Sequence, residues 1–215
     1  MQVGGVILCG GHSQRMGFPK ALLPFGSKTM LQHVVSLLAP IVNPLVVVAA
    51  RDQELPSLPP AVQVTYDNAP DRGPLEGMHA GLQAMQGHAE AAYLTSCDVP
   101  LLVPAFVETL IDNLGTRQAV VPVDQRFHHP LAAVYRVELV TRIRALLDAD
   151  QLRPFFLLEQ SDTLRIPVEQ LREIDPDLKT LQNINHPQDY LAALAACQLT
   201  APAHLLSLWQ DQLDS

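Results

Sequence analysis

Short, nearly unbroken apolar runs alternate along this chain with amphipathic segments. The runs Val3–Leu8, Leu45–Ala49, Val62–Tyr66, Ala91–Thr95 and Ala119–Val123 are brief and mostly apolar. That is the pattern of strands buried on both faces of a parallel sheet. Between them, Thr29–Leu38, Leu75–Met85 and Pro104–Leu114 carry helical patterns, and Pro104 suits a first helical turn. Strand, helix and strand repeated in this order predict an α/β fold, a parallel sheet with helices on both faces.

The later sequence is less regular. Leu131–Tyr135 reads as a strand and Val137–Leu147 as a helix, while Pro154–Leu158 starts a short helix. Thr163–Pro167 and Thr180–Asn183 read as strands and Pro187–Ala196 as a helix. Leu199–Leu213 reads as a final short helix or a loose tail. The expected organisation is one domain over residues 1–198 followed by a helix or tail over 199–215. Pro56, Pro59 and Pro60 mark an exposed loop.

Composition narrows the class. The 215 residues are 48% hydrophobic, and no apolar run approaches the roughly 20 residues that span a bilayer. Met1 leads straight into a strand with no basic start and cleavage site, so no signal peptide is expected. Cys9, Cys97 and Cys197 are odd in number and far apart, unlike a disulfide framework or zinc site. A cytoplasmic protein is expected, with Cys9 and Cys97 as packing elements. Charge is unevenly spread. Residues 1–51 hold no acid and carry Arg15, Lys20, Lys28 and Arg51, net +4, whereas the remainder is net −12, giving −8 overall. A locally positive segment in an acidic protein suits a small polyanion, and the overall acidity argues against nucleic acid as a partner; with no spanning run, no membrane partner is expected.

The chemistry concentrates in Leu8-Cys9-Gly10-Gly11-His12-Ser13-Gln14-Arg15-Met16-Gly17-Phe18-Pro19-Lys20, directly after the first strand. Gly10, Gly11 and Gly17 let backbone approach phosphate oxygens, and the turn's N–H groups can form an anion nest. Arg15 offers a fork of donors and Lys20 a point charge. Lys20 follows Pro19 and precedes Ala21, so it is no Walker lysine. The spacing of a dinucleotide fingerprint is also absent.

Open parallel sheets bind ligands at the carboxyl ends of their strands. Three polar clusters fall there: the glycine loop, Asp67 after Val62–Tyr66, and Ser96-Cys97-Asp98-Val99-Pro100 after Ala91–Thr95. Asp98 reads either as a Mg²⁺ ligand or as the cap of a following turn. Gly73-Pro74-Leu75-Glu76-Gly77, with Gly81, reads as a second close approach to ligand at a helix N-terminus or as an ordinary loop. The eight histidines show no metal spacing. His128 and His129, being adjacent, are expected to point two ways and to serve structure or substrate contact. Ser13 and Ser96 are expected to donate hydrogen bonds.

Taken together, these stretches resemble the MobA-like nucleotidyltransferases. The glycine loop with Lys20, Asp67, Gly73–Gly77, Cys97–Pro100, His129-Pro130 and Asn183-Ile184-Asn185-His186-Pro187 fall in that family's order, from the first strand to about Ala196. The resemblance implies a Rossmann-like three-layer α/β/α fold of the nucleotide-diphospho-sugar transferase type, and a Mg²⁺-dependent nucleotidyl transfer. The nearest type in the family is molybdenum cofactor guanylyltransferase, which moves GMP from GTP to molybdopterin and releases pyrophosphate. By position, Leu8, Cys9, Gly10, Gly11, Lys20, Asp67 and Asp98 would contact nucleotide. Asp98 would hold the metal, and Arg15, Lys20 and Asp98 would be catalytic; Asn185 and the His129 region would contact metal or acceptor. Transient contact with cofactor-delivery or acceptor proteins is implied as well.

Two departures bear on the nucleotide. Val48-Ala49-Ala50 stands where the guanylyltransferases tend to have Asn-x-Asn, and Lys20-Ala21-Leu22-Leu23-Pro24-Phe25-Gly26 is more like the cytidylyltransferases. Cys9-Gly10-Gly11 and the Gly-Pro-Leu-x-Gly element favour GTP over CTP. The alternatives are a CTP-dependent molybdopterin cytidylyltransferase, another small-metabolite nucleotidyltransferase, or a non-catalytic nucleotide-sensing module.

Overall fold

The computed structural model describes residues 1–10, 16–67, 69, 72–125 and 127–213. In chain order the first half runs β1 (Val3–Leu8), β2 (Pro24–Phe25), β3 (Lys28–Thr29), α1 (Met30–Leu38), β4 (Leu45–Ala49), β5 (Val62–Tyr66), α2 (Pro74–Met85) and β6 (Ala91–Ser96). The second half adds α3 (Pro104–Asp112), β7 (Ala119–Val123), β8 (Ala133–Arg136), α4 (Val140–Asp148), α5 (Pro154–Glu159), β9 (Thr163–Pro167) and α6 (Val168–Leu171). Three helices close it: α7 (Pro187–Ala196), α8 (Ala203–Leu208) and α9 (Gln210–Leu213). The five strands expected first form as read, β6 gaining Ser96.

Seven strands make one sheet in the order β5-β4-β1-β6-β8-β7-β9. All neighbouring pairs are parallel except those of β8, which runs antiparallel to both β6 and β7. Alternate residues of each strand enter opposite cores. Val6, Leu8, Val46, Val48 and Leu94 pack with α2 and α4 on one face. Ile7, Cys9, Val47 and Tyr93 pack with α1 and α3 on the other. This is the three-layer α/β/α arrangement, and its apolar strands are short because both faces are covered. No helix among the described residues is long and apolar enough to cross a membrane.

After β1 the chain moves outward through β4 to β5, then returns to the other side of β1 as β6. The neighbours β1 and β6 therefore flank a topological switch point, where open sheets of this kind form a crevice at the strand C-termini.

Gly77 and Gly81 correct an expectation. They do not face a ligand but seat α2 on β1. A Cβ at Gly81 would lie 2.3 Å from Val6 Cγ1 and one at Gly77 would lie 3.3 Å from Leu8 Cδ2. Val6 is a fully buried, β-branched side chain that cannot swing away. Gly81→Ala must therefore lift α2 off the sheet, an overpacking cost of about 1–3 kcal/mol. The expected result is a thermal midpoint lower by roughly 3–10 °C, read by circular dichroism; an unchanged midpoint would mean the helix can shift freely.

The expected strand Thr180–Asn183 is not one. Thr180 lies in a short 3₁₀ turn, Lys179–Leu181. The backbone N–H groups of Lys179 and Thr180 donate to the buried Asp175 carboxylate at 2.8 Å each, so they are not available to a ladder. Residues 199–213 are not loose. Leu205 and Trp209 are fully buried against Met16, Leu23, Phe25 and Ile184, in a third apolar cluster away from the two sheet faces.

Candidate active site

β1 ends in Leu8, whose carbonyl accepts from the Cys97 N–H at 3.0 Å. Cys9 N–H donates to Val48 O at 2.8 Å, and Gln53 Nε2 donates to Cys9 O at 3.0 Å. Both side chains point into the cores. Gly10 is the first exposed residue of the loop. A Cβ there would lie 3.5 Å from Asp67 Oδ2, so the carboxylate that follows β5 rests against the Gly10 backbone. Gly11, Ser13 and Arg15 fall outside the described residues.

On the other side of the crevice, β6 delivers Ser96 and Asp98. Lys20, in a 3₁₀ turn after Pro19, reaches across. Its Nζ donates to Asp98 Oδ2 at 2.7 Å and to Asn185 Oδ1 at 3.1 Å. The pair is largely buried, with the two side chains 19% and 12% exposed. The second carboxylate oxygen, Asp98 Oδ1, accepts from Ser96 Oγ at 2.5 Å and Asn183 Nδ2 at 2.8 Å. Three side chains thus fix one carboxylate, and Ile184 N–H donates to the Asp98 carbonyl at 2.8 Å. The two loops holding Lys20 and the asparagines meet at Asp98, 78 and 85 residues away from their respective side chains.

Asn183 had no role assigned from sequence, and Gln53 was not singled out at all. A signal for Asn183 existed. Asn185 and His186 precede Pro187 at the start of α7. Asp189 accepts from both their N–H groups at 2.8 Å, which pins the loop. Gln53 gave none, because it works by closing the strand end where Val48, Ala49 and Ala50 offer only apolar side chains.

The remaining candidates sort as follows. Cys9 and Cys97 lie buried side by side. The hydrogen bond between their thiols, burial and the nearby Asp98 charge push the Cys9 thiol well above the usual range, as befits a packing residue. His128 and His129 point apart. His128 Nε2 accepts from Arg165 Nε at 3.2 Å, whereas His129 Nε2 lies 3.5 Å from Asp124 Oδ2. Burial holds His129 below the ordinary histidine range despite Asp124. Both sit at the C-terminal end of β7, on the same rim as Asp98 but beyond β8. Among the described residues no group of three or more His, Cys, Asp or Glu side chains is placed to share a metal ion.

Comparisons with known proteins identify the family and the fold. The family profile of the MobA-like NTP transferase domain matches residues 5–164, which spans β1 to β9. The chain belongs to the MobA-like NTP transferase family. A probable molybdenum cofactor guanylyltransferase of Mycobacterium bovis is 37% identical over 188 residues, 85% of this chain and 89% of its own length. The molybdopterin-guanine dinucleotide biosynthesis protein A of Archaeoglobus fulgidus superposes with a TM-score of 0.73 at 23% identity, over 92% of this chain and 99% of that one. The 2-C-methyl-D-erythritol 4-phosphate cytidylyltransferase of Thermus thermophilus superposes with a TM-score of 0.64 at 16% identity, over 93% and 100%. As a MobA-like NTP transferase, this chain is a nucleotidyltransferase.

Proposed function

We propose that this MobA-like enzyme transfers GMP from GTP to the terminal phosphate of molybdopterin in the molybdenum cofactor, releasing pyrophosphate. The observation that carries the reading is the Lys20–Asp98–Asn185 cluster at the switch-point crevice, beside Gly10 and Asp67. The name of the Mycobacterium bovis relative supports the substrate pair. An acceptor phosphate oxygen attacks the α-phosphorus, and the bond from that phosphorus to the β-phosphate bridging oxygen breaks. The attacking oxygen is already anionic, so no general base is needed. Catalysis then rests on alignment and on neutralising charge. Lys20, with Arg15, would neutralise charge on the departing pyrophosphate, while Asp67 and the Gly10-Gly11 backbone hold the nucleoside end.

The donor set fits Mg²⁺. Asp98 and Asn185 present hard oxygens, and one or two carboxylates plus substrate phosphates are what this ion uses. When bound it would supply Lewis-acid charge at the phosphate oxygens. The enzyme's own residues fix where that charge sits, because Ser96 and Asn183 hold Asp98 from behind.

A panel of GTP, CTP, ATP and UTP with Mg²⁺, followed by thermal shift, tests the nucleotide. A ligand at about 100 times its Kd stabilises by about 2.7 kcal/mol, which is roughly 5–10 °C for a chain of this size. GTP is expected to give the largest shift and to release pyrophosphate when molybdopterin is added. A larger shift with CTP would move the assignment to cytidylyl transfer, the reading that the Lys20–Gly26 sequence favours. No shift with any of the four would overturn nucleotide binding.

A further inference from the structure

The third apolar cluster joins three segments that are distant in sequence. Met16, Leu23 and Phe25 come from the stretch that carries Lys20. Ile184 lies between Asn183 and Asn185, and Leu205 and Trp209 come from α8 and its end. The indole Nε1–H of Trp209 donates to the Met16 carbonyl at 2.6 Å, a buried bond between residues 193 apart. Met16 and Trp209 are both fully buried. Without the indole, that carbonyl would be a buried acceptor with no donor, or the backbone leading to Lys20 would have to move toward water. Tyr190 stacks edge-on against Trp209, with ring centres 5.5 Å apart, and its hydroxyl donates to Pro24 O on the far side of Lys20. Gln188 Nε2 ties α7 to the Gln212 carbonyl at 2.8 Å.

The stretch from Met16 to Pro24 is therefore held at both ends by aromatic donors. Both of these belong to segments beyond the matched family domain, which ends at residue 164. The same cluster holds the asparagine loop through Ile184. Among the described residues the indole donates to Met16 and not to Lys20, Asp98 or Asn185, yet it braces the backbones that bring them together.

We infer that Trp209 is a positioning residue for the triphosphate site, clamping the Lys20 stretch and the Asn183–Asn185 loop in mutual register. This rests on the reading of that site as one for nucleoside triphosphate. A loop that is already in place loses less freedom when the ligand arrives, so the clamp contributes to phosphate binding without touching phosphate. Its effect must grow with the number of phosphates that reach Lys20.

Trp209 is the chain's single tryptophan, so its emission reports this position alone. Titrating the wild-type protein with GTP and Mg²⁺ is expected to change that emission saturably, with the midpoint found by calorimetry on the same sample. Trp209→Phe keeps an aromatic filler and deletes the N–H donor. It is expected to bind GTP about 5- to 10-fold more weakly, to bind GMP within twofold of wild type, and to unfold within a few degrees of it. A purely structural role would weaken both ligands alike or neither. Wild-type emission that stays flat while calorimetry shows GTP saturating would overturn the inference, as would Trp209→Phe binding GTP like wild type. If the variant does not fold, the wild-type titration decides. If the wild-type protein binds no triphosphate by calorimetry, the nucleotide reading itself fails and takes this inference with it.

Discussion

Asp98→Asn will cut nucleotidyl transfer by about 100- to 1,000-fold while leaving the fold in place. The magnitude is that of losing one preorganised charge contact in a transferase or hydrolase site, about 3–4 kcal/mol. The substitution keeps the shape and an oxygen that can still accept from Ser96 and Asn183. What it removes is the negative charge facing Lys20 at 2.7 Å. The amide turns either an N–H₂ group or a neutral oxygen to that ammonium, so both metal affinity and the placement of Lys20 suffer. Stability should fall as well, because the largely buried Lys20 ammonium loses its partner charge, though Lys20 keeps enough exposure to limit the cost. The measurement is pyrophosphate release at saturating GTP and Mg²⁺, with thermal unfolding as the control for folding. Retention of more than a tenth of wild-type turnover would remove Asp98 from the reacting centre.

That the fold was readable from the chain follows from the two-sided burial of its strands. A strand covered on both faces must be apolar throughout, and β1, β4 and β7 announce themselves in that way. The direction of a strand carries no such mark. Nothing in Ala133–Arg136 says that it runs against β6 and β7, since pairing sense is decided by the connections. The failure at Thr180–Asn183 has a similar origin. Its composition alternates acceptably for a strand, but Asp175 captures the N–H groups a ladder would need. Gly77 and Gly81 look alike whether a helix packs on a strand or a backbone approaches a phosphate. Only the distances from Gly77 to Leu8 and from Gly81 to Val6 separate the two.

The site was legible to the extent that strand ends converge by rule. Lys20, Asp67 and Asp98 follow different parallel strands, so a shared rim could be expected before any contact was known. The asparagine loop was visible only as a motif in the right order. Its contribution depends on Ile184 and Trp209 docking it beside β6, and residues 199–213 carry too weak a pattern to foretell that docking. Trp209 meets its acceptor 193 residues away, a separation that no local pattern encodes.

Lys20→Met should weaken GTP binding and lower turnover, together costing about 100-fold or more in kcat/KM. The reason lies in what Lys20 does before the nucleotide arrives. Its ammonium sits at 2.7 Å on Asp98 Oδ2, the oxygen a divalent ion would take, and at 3.1 Å on Asn185 Oδ1. On the proposed reading, a divalent ion would have to compete with Lys20 for these oxygens until phosphates gave the lysine another anion. Methionine keeps most of the length and apolar stem but no charge. In this variant Asp98 keeps Ser96 and Asn183 yet loses its cation, so Mn²⁺ added without nucleotide should bind more tightly than in the wild type. The same change should weaken GTP more than GMP, because on the proposed reading the lost charge would face the outer phosphates. Electron paramagnetic resonance counts free Mn²⁺ directly, and calorimetry compares the two nucleotides. Unaltered Mn²⁺ affinity in Lys20→Met would show that the ion pair does not guard the carboxylate. Equal losses for GTP and GMP would place Lys20 away from the leaving pyrophosphate. Combining Lys20→Met with Asp98→Asn should cost far less than the product of the two single losses, since each variant already dismantles the same contact.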